Sequence, residues 1–261
     1  DLLLLFSLGL ITSLSLPPYN FFLINFFTFS IFFGFLFKKL NLEKKKYFFF
    51  YGWLFGFGYF LTNLYWITIA LSFDKDLGYL IPIALIIIPS FLALFYGLIS
   101  IIFCLLNPKN ILSAFFIFSL LFGIFEFIRG TILTGFPWNL IVYSFSENLN
   151  FINVISLIGT YSLNLIVISF FTAPAIYVLR KSRREIMVCL ILFILPILIL
   201  IYGNSQKQKF MVKEEKKINY TIRIIGSNIG LDRFYKDTLD KEIIEELILI
   251  SSPEKNKKIF F

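Results

Sequence analysis

The stretch Ile111–Trp138, ILSAFFIFSLLFGIFEFIRGTILTGFPW, decides how this chain is read. Its apolar part, Ile111–Ile128, is long enough for a helix to cross the hydrocarbon core, which takes roughly 20 residues with a range of about 17–25. Its end carries Glu126 and Arg129, three residues apart and so on one helical face. The Thr134-Gly135-Phe136-Pro137-Trp138 segment that follows is not helical, because Gly and Pro break it, and Trp prefers the membrane–water interface. A charge at membrane depth is costly and is seldom placed there without a partner or a task.

Working outward, the same apolar character recurs. The runs are Leu2–Leu16, Asn20–Phe37, Tyr47–Phe73, Tyr79–Leu106, Ile111–Ile128, Phe151–Leu179 and Ile186–Gly203, in a chain that is 58% hydrophobic with a mean hydropathy of +0.84. All but the first are long enough to span. Leu2–Leu16 is short, but the chain opens at Asp1 without Met, so this helix is read as clipped. A signal peptide fits less well, since no basic segment precedes the run. The alternating polarity of a membrane barrel is absent, which leaves helices. The expected fold class is therefore an α-helical polytopic membrane bundle of about seven transmembrane helices. The 36 Phe residues, taken with the many Ile, Asn and Lys, read as an AT-rich coding bias rather than as a lipid-binding device.

The net charge of +8 could point to nucleic acid, but its distribution excludes that partner. Lys38, Lys39, Lys44, Lys45 and Lys46 fall between the second and third runs, Lys109 between the fourth and fifth, and Arg180, Lys181, Arg183 and Arg184 between the sixth and seventh. The opposite connectors carry only Lys75, with Arg129 at a helix end. Bases collect on the cytoplasmic side of membrane proteins. The pattern places the N-terminus in the cytoplasm and everything after Gly203 on the outer face. Cys104 and Cys189 lie inside apolar runs and read as small buried hydrophobes. With no His and no ligand cluster, no metal or cofactor is expected.

Beyond residue 203 the pattern changes. Asn204–Lys217 is polar and aperiodic and reads as a linker within 204–218. Asn219–Ile229 opens with alternation at Tyr220, Ile222 and Ile224, as a strand would, and Gly226-Ser227-Asn228 ends it. Asp237–Ile250 has one apolar stripe through Leu239, Ile243, Ile244, Leu247 and Ile248, which predicts a helix. Lys258–Phe261 looks like the start of a second strand. These elements cannot bury a core by themselves, so residues 219–261 are expected to begin a truncated α/β domain after a membrane domain over 1–203.

On the residues alone, Glu126 and Arg129 admit two readings: a self-neutralising pair near the interface, or a polar point facing a bundle cavity. The Gly130–Asn150 connector, with Phe136, Trp138, Leu140, Ile141, Val142 and Tyr143, should lie at the membrane surface. It is either a lipid-admitting loop or an ordinary amphipathic connector. Gly52, Gly56 and Gly58 read as helix-packing positions, and Pro17-Pro18-Tyr19-Asn20 as a tight turn.

Several of these segments fall in the order of one family's pattern. They are the Pro-Pro-Tyr turn at Pro17–Tyr19, the Gly-Trp…Gly-x-Gly-Tyr-Phe…Tyr-Trp-Ile run at Gly52–Ile67, Glu-x-x-Arg…Thr-Gly-Phe-Pro-Trp at Glu126–Trp138, and Ile158–Leu163. With them the chain resembles the bacterial apolipoprotein N-acyltransferases, membrane-embedded members of the nitrilase or carbon-nitrogen hydrolase superfamily. The resemblance implies a nitrilase-like periplasmic domain after the last helix of an inner-membrane bundle. It also implies a reaction in which a Cys thiol, activated by a Glu base and with a Lys steadying the oxyanion, takes an acyl chain from a phospholipid. The thioester then yields that chain to the α-amine of a diacylglyceryl-prolipoprotein. The implied Glu, Lys and Cys are expected downstream of Phe261, so no catalytic residue is assigned and the fragment alone is expected to be inactive. Glu126, Arg129, Phe136, Pro137 and Trp138 are the substrate- or membrane-face candidates. The family's Gln-Gly-Asn-Ile-Pro-Gln is here Gly226–Leu231, GSNIGL, with Phe234-Tyr235 in place of a Trp, so its lipid contacts are not carried over. The rivals are a transporter or channel with an incidental tail, and another membrane acyltransferase or glycosyltransferase.

Overall fold

The computed structural model describes residues 1–73, 76–133, 135–212 and 240–251. It divides into two compact units, Asp1–Val212 and Lys213–Phe261. The first is helical: α1 (Leu2–Ser13), α2 (Ile24–Lys39), α3 (Lys45–Leu64), α4 (Ile81–Leu106), α5 (Ile111–Thr131), the single turns α6 (Leu149–Ile152) and α7 (Ile155–Ile158), α8 (Thr160–Leu179) and α9 (Arg183–Val212). A 3₁₀ segment, Tyr65–Ser72, prolongs α3.

The helices Lys45–Ser72, Gly78–Leu106, Ile111–Thr131, Thr160–Leu179 and Arg183–Lys209 are long and apolar enough to cross a membrane. The first run, short already in the sequence, and the second, expected to span, both form helices shorter than the hydrocarbon core. The 12 residues of α1 rise about 18 Å, and the 16 residues of α2 rise about 24 Å, against a core of about 30 Å. The cause is local. Residues around Pro17-Pro18 leave the helix for a chain of turn hydrogen bonds, Leu16 N–H to Ser13 O and Phe21 N–H to Leu14 O among them. The sixth run is also divided. Gly159, at φ +81°, separates α7 from α8, so the spanning segment begins at Thr160 rather than Phe151. At the other end, the last helix passes through Gly203 to Val212, taking in the first half of the polar Asn204–Lys217 stretch.

Packing centres on α3, which lies against α4 and α1, while α2 and α5 pack on α8, and α8 on α9. The glycines explain the close contacts. A Cβ on Gly52 would overlap the Tyr96 carbonyl of α4, one on Gly56 would stand 2.9 Å from Tyr96 Cβ, and one on Gly58 would overlap the Phe6 carbonyl of α1. Much of the Phe content is interior. Phe32 stacks on Phe55 at 4.2 Å, Phe118 meets Phe122 in a tilted pair at 4.8 Å, and Phe29, Phe33 and Phe103 are fully buried. Others, such as Phe27, Phe50 and Phe116, face outward.

In the second unit α10 spans Asp240–Ser251, against the expected Asp237–Ile250. Ile243 and Leu247 are half-buried on its apolar stripe. The strand expected over Asn219–Ile229, the Gly226–Leu231 loop and the strand start at Lys258–Phe261 lie outside the described residues, as do Lys75 and Thr134.

Overpacking a filled helix interface costs about 1–3 kcal/mol, so Gly52→Val is expected to lower the unfolding midpoint in detergent. Cys104 and Cys189 are buried, and a thiol-reactive dye therefore reports the transition. Gly34→Ala is the control, since its added Cβ would meet only Leu179 Cδ1, at 3.8 Å, and its midpoint should hold. An unchanged midpoint for Gly52→Val would mean that glycine does not set the α3–α4 spacing.

Candidate functional site

The C-terminal turn of α5 carries Glu126 and Arg129, which the helix places on one face. Both are interior, at 1% and 2% exposure. Arg129 Nε donates to Glu126 Oε2 at 2.9 Å, and Nη2 donates to the same oxygen. The other carboxylate oxygen, Oε1, accepts from Tyr96 Oη of α4 at 2.8 Å. The remaining nitrogen, Arg129 Nη1, donates to the carbonyls of Phe136 at 2.7 Å and Trp138 at 3.0 Å. Phe60 of α3 lies under the guanidinium, 5.2 Å from it, close enough for a cation–π contact.

The pair neutralises itself and also clamps the loop that follows. Phe136 closes on Arg129 twice, since its N–H donates to the Arg129 carbonyl at 3.0 Å while its own carbonyl takes the guanidinium. Pro137 suits the position because it brings no N–H that would need a partner. The bend requires left-handed backbone at Leu133 (φ +57°), Gly135 (φ +73°) and Asn139 (φ +60°), which is unfavourable for residues other than Gly. Two further pins hold the loop. Tyr59 Oη of α3 donates to the Asn139 carbonyl at 2.7 Å, and the Val142 N–H donates to Asn164 Oδ1 of α8 at 2.9 Å. The 3₁₀ turn Ile141–Phe145 follows, its first residues buried.

The loop separates two cavities. One, of about 270 Å³, lies between α4 and the loop and is apolar, lined by Ile87, Phe91, Phe95, Ile132 and Phe136, with Arg129 also at its wall. The other, of about 400 Å³, lies where the α1–α2 turn, the end of α3 and the loop meet. Trp138 lines it, stacked on Trp66 at 5.3 Å with ring planes 17° apart.

Of the candidates named from sequence, Glu126 and Arg129 are locked inside, Phe136 is half-buried, and Pro137 and Trp138 are exposed. The structure brings Glu126, Arg129, Phe136 and Trp138 into one hydrogen-bond network, with Pro137 between the two carbonyls that Arg129 holds. Tyr59 and Tyr96, which complete it together with Asn164, are not singled out from sequence. Tyr59 is inside the Gly-x-Gly-Tyr-Phe motif, where the glycines drew the reading toward packing. Tyr96 carries no local signal at all. Asn164 was visible as a polar residue inside a span. Neither cysteine belongs to this network: Cys104 is on α4, and Cys189 on α9 contacts the Ala173 carbonyl at 3.5 Å.

Comparison with known proteins gives a consistent result. Residues 8–173 match the family model for the apolipoprotein N-acyltransferase N-terminal domain. The chain is similar to the apolipoprotein N-acyltransferase of Rickettsia typhi, at 37% identity over 202 residues, covering 76% of this chain and 39% of the relative. It is similar to that of Rickettsia prowazekii at 38% over 200 residues, 75% of this chain and 38% of the relative. Similarity to that of Allorhizobium ampelinum extends further, at 29% over 257 residues, 96% of this chain and 48% of the relative. The chain spans less than half the length of these curated relatives.

Removing one partner of a buried ion pair costs about 3–5 kcal/mol. Arg129→Ala is therefore expected to lower the unfolding midpoint sharply and to expose residues 132–146 to protease. Arg129→Lys restores the charge but not the planar fork, and should recover only part of the loss. A wild-type midpoint for Arg129→Lys would reduce the fork to a point charge.

Proposed function

The chain belongs to the apolipoprotein N-acyltransferase family, and on that premise we propose that it forms the membrane part of an enzyme that acylates lipoproteins. In this reading the whole protein moves an acyl chain from a phospholipid to the N-terminal amine of S-diacylglyceryl-cysteine lipoproteins. A thiolate displaces the lipid's alcohol to give a thioester, and the amine then displaces the thiolate, so one difficult transfer becomes two easier ones.

The observation that carries the proposal is the clamped Gly-Phe-Pro-Trp loop. The family signature is a rigid platform at one end of the bundle, with an apolar cavity on one side and a mixed cavity on the other. The apolar cavity suits an acyl chain, and the exposed Pro137 and Trp138 suit the interface. Among the described residues the platform carries no free carboxylate or thiol. Both oxygens of Glu126 are occupied, and Cys104 and Cys189 are buried in helices, where a thiolate is strongly disfavoured. In this reading the nucleophile, base and oxyanion donor belong to a nitrilase-like domain of the whole protein, as the resemblance to the family implies. A transporter would need a polar path between the two ends; the one buried ion pair among the described residues is spent on the loop.

We place the protein in the inner membrane with its N-terminus cytoplasmic and the platform periplasmic. Two contacts support a consistent pair of ends. Lys39 Nζ bonds Asp1 Oδ2 at 2.7 Å, which joins the N-terminus to the basic α2–α3 connector. Asn20 Nδ2 bonds Glu147 Oε1 at 2.6 Å, which joins the α1–α2 turn to the loop region.

A full-length coding sequence containing this chain is expected to rescue a strain depleted of its own apolipoprotein N-acyltransferase, and to do so equally well with Cys104→Ala and Cys189→Ala together. Rescue abolished by those two changes would return the nucleophile to the membrane part, and no rescue by the full-length protein would sink the assignment. In the 261-residue chain with both changes, which then holds no cysteine, Ser146→Cys should react with an impermeant maleimide in cells whose outer membrane alone is opened. Lys109→Cys should react only after the inner membrane is opened too. The reverse pattern would invert the topology.

A further inference from the structure

The end of the bundle away from the Gly-Phe-Pro-Trp loop carries a cluster of bases whose one acid is turned inward. α8 starts beside the loop, where Asn164 holds Val142, and its 20 residues end at Leu179, about 30 Å away. One stripe of α2, stepped every four residues, runs along it. Phe26 meets the Phe170 and Phe171 rings at 4.9 and 5.0 Å. Ser30 Oγ donates to the Phe171 carbonyl at 3.2 Å, and a Cβ on Gly34 would meet Leu179 Cδ1 at 3.8 Å. Lys38 is the next residue of this stripe, one turn past the level where α8 ends. The connector Arg180-Lys181-Ser182 begins there, and α9 opens with Arg183 and Arg184. Lys38, Lys181, Arg183 and Arg184 are exposed, and none of them is in an ion pair among the described residues. Bases gather at one end of membrane proteins in general; the disposition of the acids sets this corner apart. Lys39, beside Lys38, is neutralised by Asp1 and Glu43. Glu185 is 6% exposed, and its Oε2 accepts the backbone N–H groups of Lys181 and, at 2.7 Å, Ser182. The acid thus ties down the connector while the bases stay outside.

We propose that this corner holds the phosphate of an anionic phospholipid, bridging Lys38 of α2 to Arg183 and Arg184 of α9. Unpaired cations on neighbouring elements recognise phosphate oxygens through charge-assisted hydrogen bonds, and arginine forks do so two bonds at a time. A lipid rather than a small soluble phosphate is indicated by position. The corner joins two helices long and apolar enough to cross a membrane, where basic pockets between spans take lipid head groups. Val178 and Met187, 75% and 61% exposed, flank the connector and offer the acyl chains a surface that a soluble ester does not use. The lipid has a structural task here. α9 buries 17% of its span, against 39–56% in the other four, so a phosphate shared with α2 fastens the helix that packing holds least.

The test follows unfolding of the 261-residue chain in a maltoside at low salt, where screening is weak, with the thiol-reactive dye as reporter. The additives are phosphatidylglycerol, phosphatidylcholine of the same chains, and glycerol phosphate, which has no chains. A ligand that binds only the folded corner raises the midpoint as its concentration rises. A saturable rise is expected with phosphatidylglycerol and none with phosphatidylcholine, while glycerol phosphate should act about tenfold more weakly or less. Lys38→Gln, and Arg183→Gln with Arg184→Gln, should each raise the half-saturating phosphatidylglycerol concentration several-fold. Their lipid-free midpoints should hold, because the three side chains are exposed and a helix N-terminus disfavours cations. Lys45→Gln with Lys46→Gln is the control. Those bases open α3, which packs on α4 and α1 rather than on α8 or α9, and their loss should leave half-saturation unchanged. Four results overturn the proposal: no rise with phosphatidylglycerol, an equal rise with phosphatidylcholine, glycerol phosphate as potent as the lipid, or the Lys45 and Lys46 changes weakening binding as much as Lys38→Gln. They would leave, in turn, no site, a bulk lipid effect, a soluble-anion site, or diffuse surface charge. The readout needs no turnover, so its failure leaves the rescue experiment standing, and failed rescue leaves a binding result intact.

Discussion

The constraint on which the platform depends is the saturation of one buried guanidinium. Arg129 spends its donors in two directions, toward Glu126 behind it and toward the Phe136 and Trp138 carbonyls ahead. Its position is fixed by α5 and its charge is balanced by a residue one turn earlier. It can therefore hold two backbone carbonyls inward at a depth where water is scarce and an unpaired carbonyl is costly. Tyr96 ties the same carboxylate to α4, and Tyr59 ties the loop to α3. The spacing of α3 and α4, set by Gly52 and Gly56, decides whether those two tyrosines reach their partners. Packing and the polar network are thus one problem rather than two.

This coupling explains what could be read from the sequence. Helix content and membrane character follow from long apolar runs, and the candidate site could be found because Glu126, Arg129, Pro137 and Trp138 stand out against Phe, Leu and Ile. The spans at Lys45–Ser72, Gly78–Leu106 and Ile111–Thr131 lie within a few residues of runs marked by hydropathy alone. The first two helices are shorter than their apolar runs for a physical reason. Hydropathy counts Leu14, Leu16 and Phe21 as membrane residues wherever they fall, whereas the backbone turns there, burying Leu16 and leaving Phe21 exposed. The division at Gly159 escaped for the same reason: a single left-handed residue ends a helix without altering the apolar average. The partners of the ion pair could not be read, because Tyr59 and Tyr96 are distant in sequence and a tyrosine in an apolar run announces nothing about its hydroxyl.

The abundance of Phe shows the limits of a compositional argument. A coding bias can supply the residue, but the structure still has to place it. Phe29, Phe32, Phe33, Phe55, Phe118 and Phe122 meet at ring distances of 4.2–5.9 Å in stacked, edge-on and tilted pairs, the arrangements that the ring quadrupole favours. Between helices in lipid, where burial of apolar surface supplies little drive, such packing is a main source of association.

Buried ion pairs can often be replaced by apolar residues of similar volume with no loss, or even with a gain, in stability. That rule does not extend to Glu126 and Arg129. A Met or Leu pair would remove two charges, but it would leave the Phe136 and Trp138 carbonyls facing inward without donors and the Tyr96 hydroxyl without an acceptor. Each such group costs about 1–3 kcal/mol when buried and unpaired. The loop would then turn its carbonyls toward water and lose the left-handed bend at Asn139, and with it the wall between the two cavities. The charge pair is thus retained by the backbone it satisfies: only a donor with more than one arm, neutralised from behind, can hold a Gly-Phe-Pro-Trp turn at the top of an apolar bundle.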